Sequence, residues 1–404
     1  MPEAVIVATA RTPIGRAFKG SFTEDRADDM AAFIVDAALN KVPELDRSEV
    51  DDLMLGCGLP GGEQGFNMGR VVAILAGMPK VPGCTITRYC SSSLQTLRMA
   101  THAVRAGEGD VFVAAGVETV SRFMVGGSSD HTPNTQNHKF DDAAGRSAAR
   151  TAGDQGTWTS ATGLPDVYIA MGETAENVAE VENVSRDEMD DYAFLSQQRA
   201  GAAIERGFFE REITPYTSAS GSVVSTDDCP RPSTEREKLA SLAPAFRPTG
   251  RVTAGNACPL NDGAAAVVVM SDTRARELGI TPIARIVSSG VSGLDPEIMG
   301  LGPIEASKQA LARAGMTIDD VDLVEINEAF AAQVIPSARA LGIDHDKLNV
   351  NGGAIALGHP FGMTGARIMG TLLNGLEDAG KTVGLETMCV GGGQGMAMIV
   401  ERLG

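Results

Sequence analysis

No run of the sequence is long and apolar enough to span a bilayer. The amino terminus, Met1 to Val7, lacks the basic-then-apolar layout of a secretory signal. These two absences read as a mature, cytoplasmic chain. Basic residues are also short: 34 Lys and Arg face 52 Asp and Glu, a net charge of −18. That balance excludes nucleic acid or an anionic membrane as the main partner, while leaving room for a local basic pocket around a small anion. Six cysteines in 404 residues do not make a disulfide framework, and no CxxC pair suggests a structural zinc. No metal-ligand set is evident. Gly61-Gly62-Glu63-Gln64-Gly65 lacks the Lys and Ser/Thr of a phosphate loop. No metal and no permanently bound cofactor are expected.

What is present fits a soluble globular chain, 43% hydrophobic and 21% charged. Its length is too great for one ordinary core, so two or more packed units are expected. The 47 glycines cluster beside apolar strands, which suits backbone-lined binding sites better than disorder.

Strands and helices alternate in the first part. Ala4–Ala8, Asp52–Leu55, Cys84–Tyr89 and Val111–Ala115 read as strands, and Asp28–Leu39 and the residues from Ser91 as helices. The pattern predicts a mostly parallel sheet with helical crossovers. From about Ser121 to Asn261 the character changes. Residues 126–166 are polar and read as excursions over a surface. Helices are expected near Thr174–Val181 and Ser185–Arg206, the second opened by the capping box Ser185-Arg186-Asp187-Glu188. This stretch is taken as an inserted loop domain. Alternation resumes at Ala264–Val269. Val50–Leu55 and Val321–Ile326 correspond in order, each after a helix and before a Gly-rich turn, so a duplicated αβ unit is read. Matching loops of both halves would then surround one cleft.

Four places carry candidate chemistry. Cys90 lies between a strand and a helix, where the helix dipole lowers a thiol pKa from its usual ~8.5; a buried structural cysteine is the plainer alternative. His359 sits in Gly352-Gly353-Ala354-Ile355-Ala356-Leu357-Gly358-His359-Pro360, framed by small residues. Its imidazole can take the Cys90 proton. Cys389 ends a strand before Gly391, Gly392 and Gly393. Asn327-Glu328-Ala329-Phe330 falls at a strand-to-helix switch, where Asn and Glu either cap the helix or hold a polarising water. Two thiols, one imidazole and bare backbone amides suit chemistry at a thioester carbonyl.

With these residues in view the sequence resembles the thiolase family nearly end to end. The likeness runs from Arg11-Thr12-Pro13-Ile14-Gly15 through the Cys90 segment, Met171–Val178, Ala254–Gly263 and Asn327–Phe330 to Gly352–Pro360 and Cys389–Gly393. It implies an α/β fold of five layers, αβαβα, with duplicated halves (1–120 with 261–282, and 283–404) and a loop domain at 121–260. It implies a homodimer or homotetramer handling acyl-CoA and coenzyme A in fatty acid metabolism, including β-oxidation. The implied reaction is an acyltransferase ping-pong. Cys90 attacks a thioester, His359 accepts its proton, and Cys389 handles the α-carbon proton. A water on Asn327 with His359 forms one oxyanion site, and the N–H groups of Cys90 and Gly391 the other. Met171, Ala254, Cys258, Phe246 and Phe330 are the implied substrate and coenzyme A contacts.

The sequence departs from the family pattern at several positions. Thr87 stands where the family often has Asn, Ser93 where it usually has Gly, and Ala170 where short-chain members often have His. The loop before Phe246 reads Leu242-Ala243-Pro244-Ala245 without its usual basic residue, so Arg231 or Arg247 is expected to meet the coenzyme A phosphates. A ketoacyl-synthase-like condensing enzyme is the nearest alternative, and Cys389 argues against it. A non-catalytic acyl-CoA-binding protein is the other, and intact Cys90, His359 and Cys389 argue against that.

Overall fold

The computed structural model describes residues 2–126, 135–153 and 157–404. Met1 and residues 127–134 and 154–156 of the polar stretch lie outside the described residues. Twelve strands appear among those described: β1 Ala4–Arg11, β2 Gly15–Arg16, β3 Asp52–Cys57, β4 Gly83–Ile86, β5 Val111–Thr119, β6 Tyr216–Thr217, β7 Val223–Val224, β8 Asn261–Ser271, β9 Ala284–Gly293, β10 Leu323–Ile326, β11 Val383–Val390 and β12 Gln394–Arg402.

The main strand order is β10-β11-β12-β9-β1-β8-β5-β3-β4, but the central join is slight. Strands β1 and β9 pair only at Val5–Arg285 and Ile6–Ala284. On either side of that join the same pattern recurs. In the first half β3 runs parallel to β4 and β5, and β8 runs antiparallel to β5 and β1. In the second, β10 runs parallel to β11 and to a bridge at Leu348, and β12 runs antiparallel to β11 and β9. The matched segments Val50–Leu55 and Val321–Ile326 thus fall on the equivalent strands β3 and β10. The expected mostly parallel sheet is corrected: five of these eight ladders are antiparallel. A tight hairpin through Gly391–Gly393, with Gly392 and Gly393 at φ of 73° and 78°, forces β12 to run back along β11.

Side-chain parity explains the layers. In β8, Ala264, Ala266, Val268 and Met270 join one core, while Ala265, Val267 and Val269 join another. A strand buried on both faces needs a helical layer on each. Helices Ala27–Leu39 and Met68–Leu75 cover the outer face of the first half, and Gly302–Ala314 and Ala331–Leu341 that of the second. Helices Ser92–Ala106 and Thr364–Asp378 fill the space between the sheets. Thr364–Asp378 is buried nearly all round, as a helix with sheets on both sides must be. The arrangement is αβαβα.

In the inserted stretch, helices Met171–Val181 and Arg186–Glu205 form, and Ser185 and Glu188 make the reciprocal capping box. The polar stretch is more than surface excursion. Its described part contains helix Asp141–Thr151 and a buried Trp158 whose indole N–H donates to Glu297 at 2.8 Å.

The two central helices meet at backbone distance. A Cβ on Gly365 would lie 2.3 Å from the Leu94 nitrogen; just before the second helix, Gly362 comes as close to strand β5, where a Cβ on Gly116 would lie 2.0 Å from its oxygen. Gly365→Ala is therefore expected to destabilise the fold by about 1–3 kcal/mol through overpacking. Gly145→Ala, on an exposed helix with open space around it, should instead gain about 0.5–1 kcal/mol. Urea denaturation of the two variants checks the opposite signs.

Candidate active site

Strand β4 stops at Ile86, earlier than the sequence suggested, and a 3-10 turn Tyr89–Ser91 leads into helix Ser92–Ala106. Tyr89 has a φ of 43°, a left-handed conformation that is costly for an aromatic residue and marks a constrained turn. The serines hold the turn in place. Ser92 Oγ accepts from Arg88 N at 2.9 Å and donates to the Tyr89 carbonyl at 2.7 Å. Ser93 Oγ accepts from Ala366 N at 2.9 Å, tying the helix after Cys90 to its central partner. The residue that departs from the family pattern thus has a bonding role here. Thr87, another departure, donates to the Gly58 carbonyl at 2.9 Å.

Cys90 is buried, and burial pushes its thiol up to about 12. The lowering expected from the helix end is overturned: desolvation of a thiolate outweighs the attraction of nearby N–H groups. Two backbone N–H groups, those of Gly391 and Cys90 itself, do point at the sulfur and pull the other way. Cys389, at the end of β11, is buried as well. Burial raises its thiol first, and Cys90 and Cys258 raise it further, so the three sulfurs lie near one another.

His359 reaches the same region from the other half. Its loop is nailed at both ends by buried carboxylates. Before it, Glu328 accepts from Ser196 Oγ at 2.6 Å, Asn349 Nδ2 at 2.8 Å, Tyr192 Oη at 2.9 Å and Ile355 N at 3.1 Å. A Cβ on Gly353 would sit 2.2 Å from that carboxyl carbon, so glycine is required there. After it, Glu118 accepts from Gly58 N and Gln64 Nε2, both at 2.7 Å, and from Gly362 N at 2.9 Å. Glu328 thus does not cap the helix that follows it in sequence; its oxygens are taken up by helix Arg186–Glu205 and by the segment leading to His359, including the first turn of helix Ala354–Leu357. The helix after it starts at Ala331, with Phe330 as an N-cap that offers no side-chain bond.

The imidazole has a defined tautomer. Thr364 Oγ1 donates to the Pro360 carbonyl at 2.7 Å and lies 2.7 Å from His359 Nδ1. A carbonyl only accepts, so the hydroxyl proton goes to Pro360 and Nδ1 carries the ring proton. Nε2 is then unprotonated and accepts from Asn327 Nδ2 at 3.3 Å. Burial and then Arg367 lower His359 to about 3, which keeps the ring neutral. Asn327 Oδ1 is buried without a partner, an idle acceptor beside Nε2.

A cleft of about 410 Å³ leads in from the surface, lined by Ala254, Cys258 and Arg231 as well as Arg16, Lys19 and Leu242. Cys258 connects it to the chemistry, since Cys90 is the second cause, after burial, of its raised thiol pKa. Its backbone N–H bonds the Ala329 carbonyl at 3.0 Å, docking the Ala254–Gly263 loop on Asn327–Phe330. Phe246 packs edge-on against Phe330 with centroids 6.1 Å apart, and lies against Gly172 next to Met171. The Met171 sulfur faces Gly391. Arg247 does not reach the cleft. Its guanidinium pairs with Glu173 at 2.7 Å and with Asn177 at 2.6 Å, so the phosphate role expected of it is withdrawn. Arg16 and Lys19 were missed; the signal was two cations three residues apart just beyond Gly15.

Residues 4–273 match the family model "Thiolase, N-terminal domain" and residues 280–402 match "Thiolase, C-terminal domain". The chain belongs to the thiolase family. It is 43% identical to the 3-ketoacyl-CoA thiolases of Serratia proteamaculans and Pseudoalteromonas translucida, with all of both chains covered in each case. Two solved structures are similar at a TM-score of 0.86. They are the Bacillus anthracis acetyl-CoA acetyltransferase, 37% identical, and human mitochondrial 3-ketoacyl-CoA thiolase, 36% identical; each covers 100% of this chain and 99% of its own. This thiolase is an acyltransferase that moves acyl groups between coenzyme A thioesters. No helix among its described residues is long and apolar enough to cross a membrane, and no His, Cys, Asp and Glu group there can hold a metal ion.

The electrostatics predict how the free thiol titrates. With the Cys90 pKa raised and His359 neutral, thiolate should be scarce at pH 7 and increase with rising pH. Alkylation of Cys90 by iodoacetamide should therefore climb steadily through pH 9. A plateau already reached at pH 6–7 would reveal a resting thiolate–imidazolium pair and refute the assignment.

Proposed function

We propose that the chain is a 3-ketoacyl-CoA thiolase that works by ping-pong acyl transfer through Cys90. The observation that carries this is the convergence on the Cys90 sulfur of two backbone N–H groups, with the unprotonated His359 Nε2 and the Cys389 thiol in the same buried region. The names of the relatives supply the substrate class.

In thiolysis, His359 takes the Cys90 proton and the sulfur attacks the 3-keto carbon. The N–H groups of Cys90 and Gly391 receive the developing oxyanion. The bond between C2 and C3 breaks, the acyl group stays on Cys90, and Cys389 protonates C2 to release acetyl-CoA. During cleavage the thioester oxygen draws on His359 and on a water held by Asn327, whose idle Oδ1 supplies an acceptor for it. Coenzyme A then attacks the acyl-cysteine and carries the longer acyl group away. Because Cys90 needs a base at neutral pH, the proton path through His359 is a requirement, not an accessory.

Coenzyme A would lie in the cleft beside Ala254 and Cys258, its phosphates met by Arg231, Arg16 and Lys19. Met171, Phe246 and Phe330 would wall the end nearest the sulfur. Residues 121–260 act as the loop domain over that cleft, between halves formed by 1–120 with 261–282 and by 283–404. The reading includes a cytoplasmic homodimer or homotetramer, no permanently bound cofactor, and a role in β-oxidation.

Intact-mass analysis after acyl-CoA addition should show one acyl adduct that disappears in Cys90→Ala; undiminished labelling in that variant would sink the proposal. Turnover across a 3-ketoacyl-CoA length series then sets the chain length. His359→Ala should lower turnover by about 10²–10⁴-fold with far less effect on coenzyme A binding. Cys389→Ala should still acylate at Cys90 but lose exchange of the acetyl-CoA α-protons with deuterated water. Exchange at the wild-type rate would transfer the role to another base.

A further inference from the structure

A cavity of about 260 Å³ opens where helix Ser92–Ala106 passes β9, apart from the cleft described above. Arg98, His102, Arg105 and Arg313 line it, and no carboxylate does. The first three are spaced by four and three residues, so one stripe of the helix presents them together. Arg105 is partly neutralised, pairing with Glu3 at 3.4 Å and donating to backbone carbonyls of β9. Arg313 donates to the Ser289 carbonyl. Among the described residues Arg98 has neither a hydrogen-bond nor an ion-pair partner, and its Nε is buried. Burial and then neighbouring guanidiniums lower the pKa of both Arg98 and His102, which is the mark of like charges facing each other without a counter-ion.

Such a cluster costs free energy in any protein, and here it stands on a chain of net charge −18. We infer that the cavity is a binding site for a small multivalent oxyanion of the phosphate class. Guanidinium forks match phosphate oxygens in geometry and charge, and the volume suits phosphate or pyrophosphate but not a polymer. The position gives the anion a structural consequence. Arg98 belongs to the first half of the fold and Arg313 to the second, while β1 and β9 join those halves through only two residue pairs. An anion held by both arginines adds a tie across that seam.

Isothermal titration of the intact enzyme with sodium phosphate and with pyrophosphate tests this, against sodium chloride at equal ionic strength. One saturable site is expected, with a rise in melting temperature under phosphate that chloride does not reproduce. Arg98→Met should weaken phosphate binding about 10–100-fold and abolish the melting shift, while turnover without phosphate is unchanged. Arg98→Lys, which keeps the charge but loses the fork, should bind with intermediate strength, and it covers a folding failure of the first variant. The inference is overturned if chloride gives the same shift or if Arg98→Met binds phosphate as the wild type does. It is also overturned if phosphate does not bind while Arg98→Met changes the sedimentation behaviour, since the cluster would then face another copy of the chain.

Discussion

Everything in this structure depends on how closely two helices can approach between two sheets. Ser92–Ala106 and Thr364–Asp378 share the central layer and touch at their amino ends, where Gly365 lies against the Leu94 backbone, while Gly116 on β5 lies against Gly362 just before the second helix. Ser93 adds a bond across the contact. Because one helix follows Cys90 and the other starts at Thr364, which bonds His359, contact between their first turns brings the two candidate loops together. Two sheets joined by a short strand pairing thus share one central core between them.

The second constraint is electrostatic. Glu118 and Glu328 are buried, and burial by itself penalises a carboxylate by several kcal/mol. Each is surrounded by donors drawn from separate segments, so the loops bearing His359 are held where those donors converge. The same dry surroundings keep Cys90 a thiol and His359 neutral. Under the proposed function, reactivity comes from a positioned base and positioned N–H groups acting on an uncharged resting pair.

Much of this was legible from the residues. The capping box at Ser185 formed as read, because it is a local device whose partners lie three residues apart. The strand at Ala264–Val269 and the correspondence of Val50–Leu55 with Val321–Ile326 also appear, since apolar strands between helices have few other ways to be buried. The parallel bias did not hold, because strand direction depends on how each connection returns. The fate of Arg247 was equally hidden: its partner Glu173 is distant in sequence, and only packing brings it within 2.7 Å.

The sequence by itself determined the alternation of elements, the candidate reactive side chains and the glycines beside them, because these follow from local pattern and residue chemistry. Only the tertiary structure decided which cations line the cleft, which carboxylates are spent on loops, and in which direction the Cys90 thiol shifts. Burial and charge pairing are sums over distant segments. A helix end alone would lower that thiol, and the surrounding desolvation raises it to about 12.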